Sequence, residues 1–380
     1  GSLCFYAAVM FIYYVGITES YALAASVFSI SLIAAMVFEI PTGVLSDRFG
    51  RKSVLILSSF SALAALGFFA FADGYPMLVI GGILDGLAFA LASGNNDALL
   101  HDTLKELGRE EEYAARRGEI GFWHQVALSA AVLSGSLFVG ISLALVFQLA
   151  LIPLFAALLL AFFVKEPAIR GHLRSNAYAH IGEALSLIRG NVRLNLLVSG
   201  RALTEAYWRA KTPLMPAFFL MLWPLWAIGI AKSLGHAGSA FGMKSVGYFV
   251  KRYGREKMAL WSEGAVFGIG TFVLAVPSFF SPLINPLATF FAGLGSVTEN
   301  AMLQREYADT HRATLGSLVS FAGTLLGAAL TFLTGLFADR MGLLPALLLL
   351  QVLLLPVLLF YFLLWRQSLT PRSESSKVAQ

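Results

Sequence analysis

Charge is scarce in this sequence: Asp, Glu, Lys and Arg make up 13% of 380 residues, where a soluble domain carries about 25%. A chain so poor in ions cannot cover its own surface in water. Cysteine is scarcer still. Cys4 stands alone, which excludes an intrachain disulfide. No two histidines stand at metal-ligand spacing and no cysteines cluster, so neither a metal nor any other cofactor is expected. No glycine loop leads into a lysine and serine to cradle a nucleotide phosphate, which argues against an ATP-driven pump. No nucleophile–base pair is readable, which argues against an enzyme. No charged leader with a small-residue cleavage site is seen.

What is present is apolar. Hydrophobic residues make up 58% of the chain, 31 of them Phe, and the mean hydropathy is +0.75. Lipid is the solvent that fits, and helices satisfy their backbone there. The phenylalanines read as lipid-facing and core surface, not as a base-stacking platform. Apolar runs long enough for spanning helices fall near 3–17, 22–46, 53–71, 77–103, 119–140, 143–164, 194–221, 224–250, 258–280, 284–304, 312–337 and 343–365. The first run is shorter than the roughly 20 residues a span needs. Span 1 is therefore expected to be truncated and to begin upstream. The chain divides into an N-terminal half of six spans (1–164), a linker (165–193), a C-terminal half of six spans (194–366) and a tail (367–380). In the linker, Ile181, Ala184, Leu185 and Ile188 repeat at helical spacing, which predicts an amphipathic helix on the membrane surface.

The formal charge of +5 does not point to nucleic acid, because the basic residues lie in short loops. Of 27 Lys and Arg, 21 fall in alternating loops and the C-terminal end from Arg366 onward on one side, and one, Arg340, falls on the other. The positive-inside rule then places both termini in the cytoplasm. A bacterial inner membrane is the expected location.

Two internal echoes sit at nearly one offset. Gly43-Val44-Leu45-Ser46-Asp47-Arg48-Phe49-Gly50-Arg51-Lys52 follows span 2, and Gly247-Tyr248-Phe249-Val250-Lys251-Arg252-Tyr253-Gly254-Arg255 follows span 8. Asn96-Asp97-Ala98-Leu99-Leu100 is matched by Glu299-Asn300-Ala301-Met302-Leu303. Such a period indicates duplication of a six-helix unit. The first motif resembles the signature of the loop between spans 2 and 3 in the major facilitator superfamily, a family of two parallel six-span halves. Glu39-Ile40-Pro41-Thr42-Gly43, leading into it, is similar to bacterial facilitators of uncertain substrate. The resemblance implies an all-α membrane protein, a monomer that moves a small solute by alternating access. It also implies gating roles for Glu39, Gly43, Asp47, Arg48, Gly50 and Arg51, and for Lys251, Arg252 and Arg255 in the second copy. Gly43 would let helices approach closely, Gly50 would make a tight turn, and Asp47 would latch the cytoplasmic ends of the two halves. Lys251 stands where Asp47 stands in the first copy, so that latch cannot be duplicated with the same sign.

Ionisable groups inside spans cost several kcal/mol or more unless paired or hydrated, and mark function by default. Arg201, Glu205 and Arg209 share one face of span 7, beside Trp208. Lys232 and His236 are one turn apart on span 8. By resemblance these spans border a midplane substrate site, so Arg201, Glu205, Trp208, Arg209, Lys232 and His236 are the candidate substrate contacts. The excess of basic groups suits an organic anion; an ion-pair ladder, or neutralisation of acidic groups in the N-terminal half, is the competing reading. Asp85, Asp97 and Glu299 are the candidate proton carriers, the first two about 18 Å apart along one helix of span 4. Asp97 can equally be a partner of the cytoplasmic latch. Proton-driven drug exporters of this superfamily usually carry an arginine in span 4 and a Gly-Pro pair in span 5. Gly82-Ile83-Leu84-Asp85-Gly86 and Ser134-Gly135-Ser136 lack both. The expected function is secondary active transport of an organic anion coupled to protons, with membrane lipids as surroundings. Export of drugs or amphiphilic metabolites is the alternative, and a non-transporting receptor or scaffold the alternative of another class.

Overall fold

In the computed structural model, residues 5–93, 95–167, 186, 188–306 and 312–369 are described, and every long element among them is helical. The helices are α1 (Met10–Thr18), α2 (Tyr21–Phe49), α3 (Arg51–Ala70), α4 (Tyr75–Ala92), α5 (Asn95–Glu106), α6 (Tyr113–Phe138) and α7 (Leu143–Phe163). After the linker come α8 (Val192–Leu220), α9 (Ile228–Tyr253), α10 (Arg255–Ala275), α11 (Ser281–Glu306), α12 (Arg312–Met341), α13 (Leu343–Val352) and α14 (Leu354–Leu369). The predicted surface helix at 181–189 falls largely outside the described residues, as does the tail from 370.

Most spans begin and end where the apolar runs do, with local chemistry marking the ends. Ser20 caps α2, its hydroxyl accepting from Leu23 N at 3.1 Å. Pro76 opens α4 in its first turn, where a missing N–H costs nothing. Among the described residues seven helical segments are long and apolar enough to cross a membrane. The segments that fail this composition test include α8, which carries Arg201, Glu205, Arg209 and Lys211.

Two spans depart from expectation. The run 77–103 is two helices, α4 and α5, with Ser93 extended between them. This corrects the expected continuous helix: Ser93 to Asp97 is a cluster of turn and cap residues, which interrupts an otherwise apolar run. The last span is divided after Val352. Pro356 has no N–H to give the Val352 carbonyl and its ring crowds that oxygen.

In the N-terminal half, α4 packs on α2 and α3. A Cβ at Gly86 would lie 2.6 Å from Ala34 Cβ, and one at Gly82 would lie 3.1 Å from the Val27 carbonyl oxygen. Bare backbone is thus what brings α4 onto α2. In the C-terminal half glycines of both helices make the corresponding contact: Gly238 and Gly242 of α9 lie against Pro286 and Phe290 of α11, and Gly293 of α11 lies against Ser239 of α9. A knot of Tyr14, Phe28, Phe69 and Phe147 fills the N-terminal core, with Tyr14 and Phe69 centroids 5.2 Å apart. Side chains such as Leu137 and Phe163 point outward, as lipid-facing groups do.

By contact the chain forms two compact units. One comprises 1–175, 208–233 and 327–347; the other comprises 176–207, 234–326 and 348–380. The first therefore adds parts of α8, α9, α12 and α13 to the N-terminal helices.

Candidate functional site

In the second unit, four helices bring ionisable and phenolic groups into the interior. Arg201 on α8 reaches Glu299 Oε2 on α11 at 3.4 Å. Glu299 and Glu263, on α10, are both fully buried, as is Tyr361 on α14. A Cβ at Gly295 would lie 3.5 Å from Glu299 Oε1 and 3.6 Å from Glu263 Oε1, so both carboxyls border the same bare turn of α11. Among the described residues, Glu263 Oε2, Glu299 Oε1 and the Tyr361 hydroxyl find no hydrogen-bond partner. An arginine–glutamate pair with a second buried carboxyl bordering the same turn is an arrangement that structure alone does not call for. Nearby, the Tyr207 hydroxyl and Gln351 are hydrogen-bonded. At one end of this unit Arg193 joins three helices, donating to Glu306 on α11 and Glu256 on α10, each at 2.7 Å.

Sequence reasoning singles out Arg201 and Glu299 of this cluster. Glu263 is visible as a charge inside a span, without a role. Tyr361 carries no signal, because a tyrosine in an apolar run is also what a lipid-facing surface uses.

The other expected substrate contacts have distinct surroundings. Glu205 lies against Gly323 of α12, and the aliphatic part of Arg209 lies against Gly327, one turn on. The Lys211 ammonium sits 5.4 Å over the Trp208 ring. Lys232 Nζ donates to the Ala7 carbonyl at 2.6 Å, and His236 is exposed on α9.

Of the expected proton carriers, Asp85 is partly buried on α4 and accepts from Ser31 Oγ of α2 at 2.7 Å. Asp97 lies on α5, beyond the end of α4. It stands in the first turn of α5, half-exposed, 2.6 Å from Arg117. Its charge has a cationic partner at a helix start, outside the apolar part of span 4.

The signature loop is built around a polar knot. Arg51 is buried; its Nη1 donates to Ser46 Oγ at 2.6 Å and its Nε lies 3.5 Å from Asp102. Asn95 Nδ2 donates to the Arg51 carbonyl at 3.1 Å, and Ser46 Oγ donates to Asn95 Oδ1 at 2.8 Å. Glu166, from the chain after α7, caps α3: its carboxylate accepts from Arg51 N at 2.8 Å and Lys52 N at 2.7 Å. Glu39 and Arg48 are exposed, and the Asp47 side chain lies outside the described residues. A Cβ at Gly43 would meet nothing within 4 Å among the described residues. In the second copy Lys251 and Arg252 are exposed and Arg255 is partly buried.

Gly50 and Gly254 both turn at positive φ, +96° and +82°. Each donates to the carbonyl four residues back and accepts from the amide four residues on. Gly342 does the same at φ +91°, closing the stretch Gly335-Leu336-Phe337-Ala338-Asp339-Arg340-Met341-Gly342. This third copy escapes a search for echoes at offsets near 204. The spacing of Gly, Asp-Arg and Gly would find it.

The sequence model of the Major Facilitator Superfamily matches residues 2–329. An uncharacterized MFS-type transporter of Bacillus subtilis (strain 168), YxaM, is 24% identical over 314 residues, 77% of this chain and 75% of its own. The crystal structure of the nucleoside transporter NupG superimposes with a TM-score of 0.79 at 15% identity, covering 96% of this chain and 96% of that one. A D-xylose-proton symporter superimposes with a TM-score of 0.70 at 16% identity, covering 96% and 95%. At such identities these structures share the fold. The sequence signature, the helical architecture and the match over most of the length agree: the chain belongs to the Major Facilitator Superfamily and is a membrane transporter.

Proposed function

We propose that this transporter moves a small organic anion by secondary active transport coupled to protons. The observation that carries the proposal is the buried group of Arg201, Glu299, Glu263 and Tyr361. Ionised carboxylates only accept hydrogen bonds, so two that border one turn with free oxygens can satisfy each other only when one carries a proton. Glu299, with Glu263 beside it, is the coupling group in this reading, and Asp85 is a second carrier in the N-terminal half. Arg201 answers to both the carboxyl pair and the solute. Arg209, Lys232 and His236, with Glu205 and Trp208, are the further candidate contacts for the anion in this reading. Alternating access follows from the family. Both termini lie in the cytoplasm of a bacterial inner membrane, and the working unit is the monomer.

The test is thermal stabilisation of purified protein against panels of organic anions, organic cations and neutral amphiphiles. A ligand at a hundred times its Kd adds about 2.7 kcal/mol. Selective stabilisation by anions, lost in Arg209→Ala and Lys232→Ala, is the expected result. Stabilisation by lipophilic cations or neutral drugs alone would replace the anion reading with drug export. With a stabilising anion in hand, Glu299→Gln in proteoliposomes is expected to abolish accumulation driven by a proton gradient while keeping solute exchange. Full gradient-driven accumulation in that variant would sink the coupling role.

A further inference from the structure

The third copy of the signature pattern, 335–342, lies at the far end of α2 from the first. That helix is 29 residues long, so its start at Ser20 is about 43 Å from the Asp47 turn. There the Asp339 carboxylate closes on the start of α2. It accepts from Ser20 Oγ at 2.6 Å, Tyr21 N at 2.6 Å and Ala22 N at 3.0 Å. With Ser20 Oγ taking Leu23 N, the first three amides of α2 all have partners. Two of the three come from α12, 318 and 317 residues away in sequence. The negative charge also sits on the positive end of the helix.

Below Asp339 the contact continues close to the backbone. A Cβ at Gly335 would lie 2.6 Å from both Ala25 Cβ and the Tyr21 carbonyl oxygen, so α12 meets α2 backbone to backbone. Two turns deeper, Ser29 Oγ donates to the Ala328 carbonyl at 2.7 Å. A face of glycine and alanine can part without unthreading anything. The amides and hydroxyl held by Asp339 are at the exposed rim, where water can take over each bond. These are the properties of a contact made and broken repeatedly.

We infer that Asp339 is a positioning residue of the transport cycle, a latch that fastens the C-terminal end of α12 to the N-terminal end of α2 and holds that end of the transporter closed. The inference rests on alternating access alone and needs neither the anion nor the proton assignment.

The experiment replaces Cys4 by Ala and places spin labels in pairs. One pair, on Asp73→Cys and Trp226→Cys, reports the Asp339 end; the other, on Leu107→Cys and Arg305→Cys, reports the signature end. Distances are measured by pulsed electron resonance in the full-length protein without solute. Losing a helix cap shifts a two-state ratio by about fivefold or more. Asp339→Ala is expected to enlarge the long-distance population of the first pair by about that factor while shortening the second. Ser20→Ala, which removes one of the three bonds, should shift both pairs the same way by less. Asp339→Ala with wild-type distances at the first pair, whatever its melting temperature, would overturn the latch, and so would broadening of both pairs together. Should Asp339→Ala fail to fold, Ser20→Ala decides alone, and an unchanged first pair refutes the proposal.

Discussion

The turn after α2 and the turn after α12 have the same backbone and unlike surroundings. Each ends its helix with a glycine at φ above +90° and opens the next helix from that glycine's carbonyl. At the start of the first pattern, Gly43 faces open space; at the start of the other, Gly335 lies on the backbone of α2. Arg51, just after the first turn, is buried among Ser46, Asn95 and Asp102, while Arg340 is exposed. A short pattern of glycines and charges therefore fixes a turn, whereas what the turn holds together depends on the helix brought against it. The third turn, after α9, makes the same point: the glycine geometry is kept with Lys251 in place of an aspartate.

The largest expected effect separates the buried from the exposed arginine of the signature. Arg51→Ala leaves Asp102 buried without its cation and should cost about 3–5 kcal/mol. It should appear as a sharp drop in melting temperature, with no resolvable change in Arg48→Ala. Equal effects would mean that the knot around Arg51 contributes nothing.

The two leading glycines should differ in sign. Gly335→Ala drives a methyl into Ala25 and the α2 backbone and should destabilise by about 1–3 kcal/mol. Gly43→Ala meets open space in mid-helix and should be neutral or stabilising by up to about 1 kcal/mol. Parallel melts of the two variants measure the contrast directly.

The turn glycines themselves should rank by what a side chain would strike. Gly50→Ala and Gly254→Ala both force alanine into a positive-φ, extended-ψ conformation that essentially only glycine adopts, at roughly 1–3 kcal/mol. At Gly50 the new Cβ would also lie 2.6 Å from Glu166 Oε1 and displace the cap of α3, whereas at Gly254 it meets nothing within 4 Å. Gly50→Ala should therefore melt lower than Gly254→Ala. The smallest effect isolates that cap: Glu166→Ala removes the acceptor of two amides and should lose about 1 kcal/mol. It should also erase most of the difference between Gly50→Ala and Gly254→Ala when combined with each.

Much of the fold was legible. The run 53–71 corresponds to Arg51–Ala70 and 143–164 to Leu143–Phe163, because a lipid-spanning helix must be a continuous apolar stretch of set length. The break in span 4 was also written, in Ser93 to Asp97, but a window that averages hydropathy passes over five residues. The site was legible only in part. Arg201, Glu263 and Glu299 could be picked out as charges in apolar spans. Their convergence, and the place of Tyr361 among them, could not.

What the sequence determined alone is what its local chemistry forces: helices of spanning length, the three glycine turns, and the duplicated signature that names the superfamily. Partners were decided only by tertiary structure. Arg201 meets Glu299 across 98 residues, and Asp339 meets the start of α2 across more than three hundred. Hydropathy and spacing report what a residue is and which face of its helix it takes. Which helix then stands opposite is settled by packing small against small, glycine on backbone, over the length of the chain.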